Sequence, residues 1–128
     1  MKGRELILTY PLTLTEDPET GQVMATFPDV PEAMTVGKDS SDALHWALDA
    51  LIVAFSGYMD QGRQIPVPST TPSSLPAITL PALVSAKLAL YEAMRRQRMT
   101  QVALAQKLGI DPKQVRRLLD LAHNSRID

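Results

Sequence analysis

The last thirty residues, MTQVALAQKLGIDPKQVRRLLDLAHNSRID (99–128), constrain this chain more than any other stretch. Thr100 stands where a helix N-cap belongs, and Leu104, Ala105 and Leu108 follow on one helical face. Gly109 interrupts that helix. Asp111 caps a second one, and Pro112 falls in its first turn, where a missing N–H costs little. The second helix is expected to bury Val115 and Leu118 and to turn Lys113, Gln114, Arg116 and Arg117 outward. Two short helices joined in this way read as a helix-turn-helix, whose second helix enters the major groove of DNA.

The rest of the chain must be compatible with that unit. Its 128 residues suffice for one ordinary domain or two small ones, and an apolar content of 45% supports a packed core. There is no cysteine, which excludes disulfides and any cysteine-based zinc site; no metal or cofactor is expected. The opening MKGRELILTYP breaks at Thr9, Tyr10 and Pro11, too soon for a signal peptide, and no apolar run approaches the roughly 20 residues of a membrane span. A cytoplasmic protein is expected. The formal net charge of −1 conceals a division: residues 1–82 carry four basic groups against ten acidic ones, and residues 83–128 carry nine against four. The first part should repel nucleic acid and the second attract it.

Upstream, 5–14 (ELILTYPLTL) reads as a strand, 16–21 (EDPETG) as a turn, and 22–27 (QVMATF) as an antiparallel partner with Val23, Ala25 and Phe27 on one face. The prolines of 28–31 (PDVP) read as a loop, before a short third strand over 33–36. The period then changes to that of a helix, with Leu44, Leu48, Leu51, Phe55 and Tyr58 on one face, Ser40 or Ser41 as its cap and Gly62 at its end. Residues 62–81 hold five of the ten prolines and read as a stiff connector, with 77–80 as one more short strand at the sheet edge. From Leu83 a further helix carries Val84, Leu88, Tyr91, Leu83, Ala86, Leu90 and Met94 into the basic cluster Arg95, Arg96, Arg98. The expected fold class is α+β: a small antiparallel sheet with one packed helix, followed by an all-α unit. The expected divisions are 1–65, a connector over 66–81, and 82–128.

Three stretches carry a resemblance: YPLTLTEDPETGQVMATFPDVPEAMTVGKD (10–39), the helix SSDALHWALDALIVAFSGYMDQG (40–62), and IPVPS (65–69) directly after it. In order and spacing they resemble the HicB family of antitoxins. ITLPALVSAKLALYEAMRRQRMTQVALAQKLGI (78–110) resembles the Cro/repressor-like helix-turn-helix of some members. The resemblance implies a partial ribonuclease H-like fold in the N-terminal domain. It implies a partner, a HicA-like toxin that is a small basic ribonuclease, and a second partner in operator DNA. It also implies a homodimer or higher oligomer. Members of this kind continue with further helices, whereas here the chain stops at Asp128, where His123, Asn124 and Ser125 would cap the next one; a truncated chain is expected.

The residues offer chemistry for both partners. Thr100 and Gln101 begin the first helix of the motif, where N–H groups and an amide can hold a phosphate. Lys113 and Arg117 stand one turn apart and can reach base edges; Gln114 suits adenine, and Arg116 suits phosphate. An exposed, merely solvated face is the rival reading for all of them. Arg95, Arg96 and Arg98 fit phosphate steering and a dipole-matched helix end equally well. For a basic protein partner the acidic candidates are Glu16 and Asp17 in the turn, Asp29 and Glu32 in the loop, and Asp42 and Asp49 on the helix. These acids form no obvious two-metal cluster of the sort a nuclease needs, and His45 and His123 lie far apart in sequence, so a non-enzyme is expected. An antitoxin that represses its own operon fits best. The alternative is a ligand-responsive transcriptional repressor without a toxin partner.

Overall fold

The computed structural model describes residues 7–70 and 74–122. Its order is β1 (Thr9–Pro11), β2 (Thr13–Glu16), β3 (Val23–Phe27), β4 (Val30–Gly37), α1 (Ser40–Asp60), β5 (Ala77–Thr79), α2 (Ala82–Gln97), α3 (Gln101–Leu108) and α4 (Pro112–Leu119). The class is α+β: small antiparallel sheets and four helices.

The strand expected over 5–14 divides, and its residues 5 and 6 lie outside the described residues. At Leu12 the chain passes from a two-stranded sheet, β1–β5, to a three-stranded one, β2–β3–β4. The Leu12 N–H donates to the Pro76 carbonyl at 3.1 Å and so leaves the β2 ladder. β5 therefore pairs with β1, Tyr10 opposite Ile78, and does not extend the larger sheet. The 16–21 turn closes by Gly21 N–H to Asp17 O and Asp17 N–H to Gln22 O, both at 2.8 Å, with Gly21 at φ 78°.

The loop expected at 28–31 is shorter than the prolines suggested. Only Pro28 and Asp29 turn the chain, and β4 already begins at Val30, which pairs with Phe27. Thr26 then pairs with Met34, so residues 31–33 form a bulge. Pro31 sits in that bulge, on an edge strand, where no ladder N–H is demanded of it. Gly37 ends β4 where the backbone turns onto α1: a Cβ there would lie 2.3 Å from the Ala43 nitrogen.

Asp39 caps α1, accepting from the Asp42 N–H at 2.8 Å, so the cap is one residue before the expected Ser40 or Ser41. Gly62, at φ 69°, follows the helix end in the left-handed conformation expected of it. The buried face is Ala43, Ala47, Leu51, Ala54, Phe55 and Tyr58; Leu44 and Leu48 only flank it. Three alanines let the helix axis approach β3 and β4 closely, which displaces the larger leucines to the sides. Tyr10 packs tilted against Phe55 and Phe55 edge-to-face against Tyr58, with ring centroids 5.2 and 6.4 Å apart.

The proline-rich segment is fastened along this core. The Tyr10 hydroxyl donates to the Pro66 carbonyl at 2.6 Å, Ile65 is buried with its N–H on Glu92 (2.7 Å), and Ser69 binds Asp29 through both N–H and hydroxyl. Burial raises the Tyr10 pKa strongly, helped by the nearby carboxylates of Asp29 and Glu92. α2 then spans two clusters. Val84 and Leu88 join the main core, whereas Met94 joins a second one with Leu104, Ala105, Val115 and Leu119. In that second cluster the expected Leu108 is exposed, and Leu119 replaces Leu118 as the buried residue of α4.

Candidate protein and nucleic-acid interfaces

The C-terminal surface is built on two short helices with strong local signals. Thr100 accepts from the Ala103 N–H at 3.0 Å and so starts α3; Gly109, at φ 71°, ends it. Asp111 accepts from the Lys113 N–H at 2.8 Å, and Gln114 Oε1 accepts in return from the Asp111 N–H at 3.1 Å. This reciprocal cap, with Pro112 in the first turn, fixes the start of α4.

With Val115 and Leu119 inward, Lys113, Gln114, Arg116 and Arg117 all stand on the exposed face of α4. Gln101, at the start of α3, comes together with Arg116: both line a crevice of about 360 Å³ whose other wall holds Ser56, Met59 and Asp60 of α1. Thr100 is exposed, but its hydroxyl is engaged in capping. The basic cluster before α3 is not uniform. Arg95 pairs with Glu92 at 3.2 Å, while Arg98 ends α2 with φ 54°, a left-handed conformation unusual for a side-chain-bearing residue.

The acidic candidates are dispersed, and most serve the fold. Asp17 accepts from the Glu19 N–H at 2.9 Å and braces the β2–β3 turn. Asp29 holds Ser69, and Asp42 accepts from the Lys38 N–H at 3.0 Å at the start of α1. Glu32 accepts from the Tyr58 hydroxyl at 2.6 Å and from Arg63 at 3.1 Å, and the Arg63 guanidinium lies 4.0 Å over the Tyr58 ring. The Tyr58 hydroxyl bond holds the Glu32 pKa below its ordinary value, with Arg63 acting in the same direction. Burial, and then Glu32, raise that of Tyr58. Glu16 ends β2, exposed. Asp49 lines a groove of about 470 Å³ between β4 and α1, with Glu32, Met34, Trp46 and Val53. Glu32 and Asp49 are thus brought to one groove, and the other four lie elsewhere. Among the described residues no three His, Cys, Asp or Glu side chains converge as a metal ion would require. His45 is exposed, edge-on to Trp46; His123 lies outside the described residues, as do Asn124 and Ser125.

Two participants escaped the sequence reading. Arg63 joins Glu32 across 31 positions, a pairing without local signal. Lys87 is buried at 4% exposure and donates to the Arg117 and Asp120 carbonyls at 3.1 and 2.7 Å. Its signal was present, since position 87 falls three after Val84 and four before Tyr91, on the apolar face of α2.

The site is thus an α+β unit braced by most of its acidic candidates, followed by two short helices with basic side chains on their outward face. Residues 9–89 match the family model described as the HicB-like antitoxin of bacterial toxin–antitoxin systems, and the chain belongs to that family. It is similar to Antitoxin HicB 1 of Photorhabdus laumondii, 38% identical over 121 residues (94% of this chain and 76% of the relative). Antitoxin HicB of Escherichia coli K12 matches at 38% over 94% of this chain and 87% of its own length. Antitoxin HicB of Pseudomonas fluorescens matches at 33% over the whole chain and 86% of its own length. The family match ends at Ala89, one residue beyond Leu88, which belongs to the main core of the N-terminal unit.

Proposed function

We propose that this chain neutralises a HicA-like, mRNA-cleaving toxin through its N-terminal unit and represses its own operon through α3 and α4, acting as a helix-turn-helix. The observation that carries the reading is membership of the antitoxin family over a match, residues 9–89, that includes every buried residue of the main core but Leu121. The acidic balance of residues 1–82 suits a small basic partner. Neutralisation needs only a surface that covers the toxin, so the chain acts as a binding protein and not as an enzyme. No described helix is long and apolar enough to cross a membrane, in keeping with an encounter in the cytoplasm.

For DNA, the exposed residues Lys113 and Arg117 supply base contacts, and Gln101 and Arg116 supply phosphate contacts. Gln114 holds its amide oxygen inward on the Asp111 N–H. A bidentate contact with adenine requires that oxygen, so Gln114 acts first as a cap. Two-fold pairing of chains would set the spacing of half-sites.

Co-expression with the small basic protein encoded beside this gene tests the first part. Growth rescue together with a stable co-purified complex is expected; unrelieved toxicity would reject it. Gel shifts at fixed salt test the second. Arg117→Ala should lose roughly 1–3 kcal/mol on DNA from upstream of this gene and relax its sequence preference. Gln101→Ala should weaken all sequences alike, because it meets phosphate.

A further inference from the structure

We infer that Lys87 is a positioning residue for α4, fixing the direction of its exposed basic face from inside α2. The inference rests on the DNA reading above and names the side chain through which that face is aimed.

Three observations meet at this point. Lys87 is an ammonium almost wholly removed from solvent, and its two named acceptors are backbone carbonyls, Arg117 O at 3.1 Å and Asp120 O at 2.7 Å. Arg117 lies in the last turn of α4 and Asp120 is its C-cap, so the cation sits where the helix presents unsatisfied carbonyls and the negative end of its dipole. Leu121, the next residue, is buried in the main core with Val84 and Leu88 of α2. The end of α4 is therefore held twice, by a charge-assisted polar contact and by an apolar one. Both holds lead through α2 to the N-terminal core.

A buried ammonium is an expensive way to gain stability, and here burial lowers its pKa. Ammonium–carbonyl bonds are directional, however, and an apolar side chain of equal length would hold the helix without defining its rotation. Val115 and Leu119 alone leave α4 able to roll about its axis, which would move Lys113 and Arg117 together away from any base edge. The reciprocal cap at Asp111 fixes the first turn, and Lys87 fixes the last.

The test uses the full chain and its Lys87→Met variant, which keeps length and loses the donors. Two measurements are made: hydrogen exchange at the backbone amides of 118–122, and binding at fixed salt to a duplex from upstream of this gene and to its scrambled counterpart. Exchange should accelerate about tenfold at those amides while those of α1 are unchanged. Affinity for the upstream duplex should fall about tenfold with little change on the scrambled one. A purely structural lysine would lower both affinities together or neither, and that result overturns the inference. If the unaltered chain prefers neither duplex, the DNA reading fails, and unchanged exchange in the variant then removes the positioning role as well. Should Lys87→Met fail to fold, Lys87→Gln, neutral and too short to reach both carbonyls, is measured in the same way with the same expectations.

Discussion

The two ends of this molecule use their charged side chains in opposite ways. Around the main core, carboxylates are turned back onto the protein: Asp17, Asp29, Asp39 and Asp42 each accept from a backbone N–H, and Glu32 is bound by Tyr58 and Arg63. Around the second cluster the ordering work is done by Thr100, Asp111 and Lys87, while the outward face of α4 is made of Lys113, Arg116 and Arg117. A sheet with proline-rich connections needs many side-chain braces, since its loops leave backbone donors without partners. Short helices leave backbone groups unpaired only at their ends, where caps meet them, so most of their polar side chains can point outward. The acidic end thus turns many of its carboxylates back onto the protein, and the basic end directs the cations of α4 outward.

The largest test of that contrast concerns the cores. Phe55 is fully buried between Tyr10 and Tyr58, and Phe55→Ala should cost about 3–5 kcal/mol. Leu104, at the edge of the smaller cluster, should cost about 2 kcal/mol when truncated to alanine. Because α2 and Met59 touch both clusters, calorimetry should show one transition in each variant. A second, separate melting step in Leu104→Ala would break the comparison into two independent domains.

Asp111→Ala comes next, at about 0.5–2 kcal/mol, since it removes the side-chain half of the reciprocal cap, the acceptor of the Lys113 N–H. The loss should be confined to α4, with faster hydrogen exchange at the amides of 113–115 and none in α1. The backbone N–H of residue 111 remains as the donor to the Gln114 amide oxygen. Any sequence preference among duplexes should be unchanged in this variant, since Gln114 stays held by that N–H.

The parts legible in the sequence were those with local chemistry. The α3–α4 pair was readable because its caps, Thr100, Gly109, Asp111 and Pro112, are one-residue signals at fixed offsets. The hairpin of β2 and β3 was readable from its turn, and Gly62 from its place after an apolar period. What escaped notice depends on distant partners. Nothing near Leu12 says that β1 will pair with β5 some 66 positions later. Pro31 looked like a strand breaker because its bulge is defined only by the register with β3. Lys87 falls on the apolar face of α2, but its acceptors lie on a helix thirty residues away. The same holds for the interfaces: the outward face of α4 follows from its period, whereas the grouping of Glu32 with Asp49 in one groove follows from the approach of β4 to α1.

A smaller effect is expected at the joint between α2 and α3. Arg98 is the single described side-chain-bearing residue with positive φ, at 54°, and its N–H still bonds the Arg95 carbonyl at 3.2 Å. Glycine accepts that conformation without a Cβ clash, so Arg98→Gly should stabilise the chain by about 0.5–1 kcal/mol. If Arg98 instead serves mainly as a displayed cation, the variant will also lose affinity for every duplex equally. Melting and gel shifts together separate the two contributions.

The smallest effect belongs to the acidic end and tests whether its charges are truly committed. The Tyr58 hydroxyl, with Arg63 beside it, holds Glu32 below its ordinary value of 4.5. A carboxylate with a lowered folded-state pKa adds stability that is complete above the unfolded value and is lost as pH falls through the folded one. Glu32→Gln has no such titration. The melting temperature of the unaltered chain should therefore exceed that of Glu32→Gln at neutral pH, and the gap should close as pH drops below 4.5. The ion pair with Arg63 is about half exposed (46% and 47%), so added salt should narrow the neutral-pH gap as well. A gap that stays constant from neutral to acid pH would mean that Glu32 acts through its hydrogen-bond geometry alone. Its charge would then add nothing to the stability of the fold.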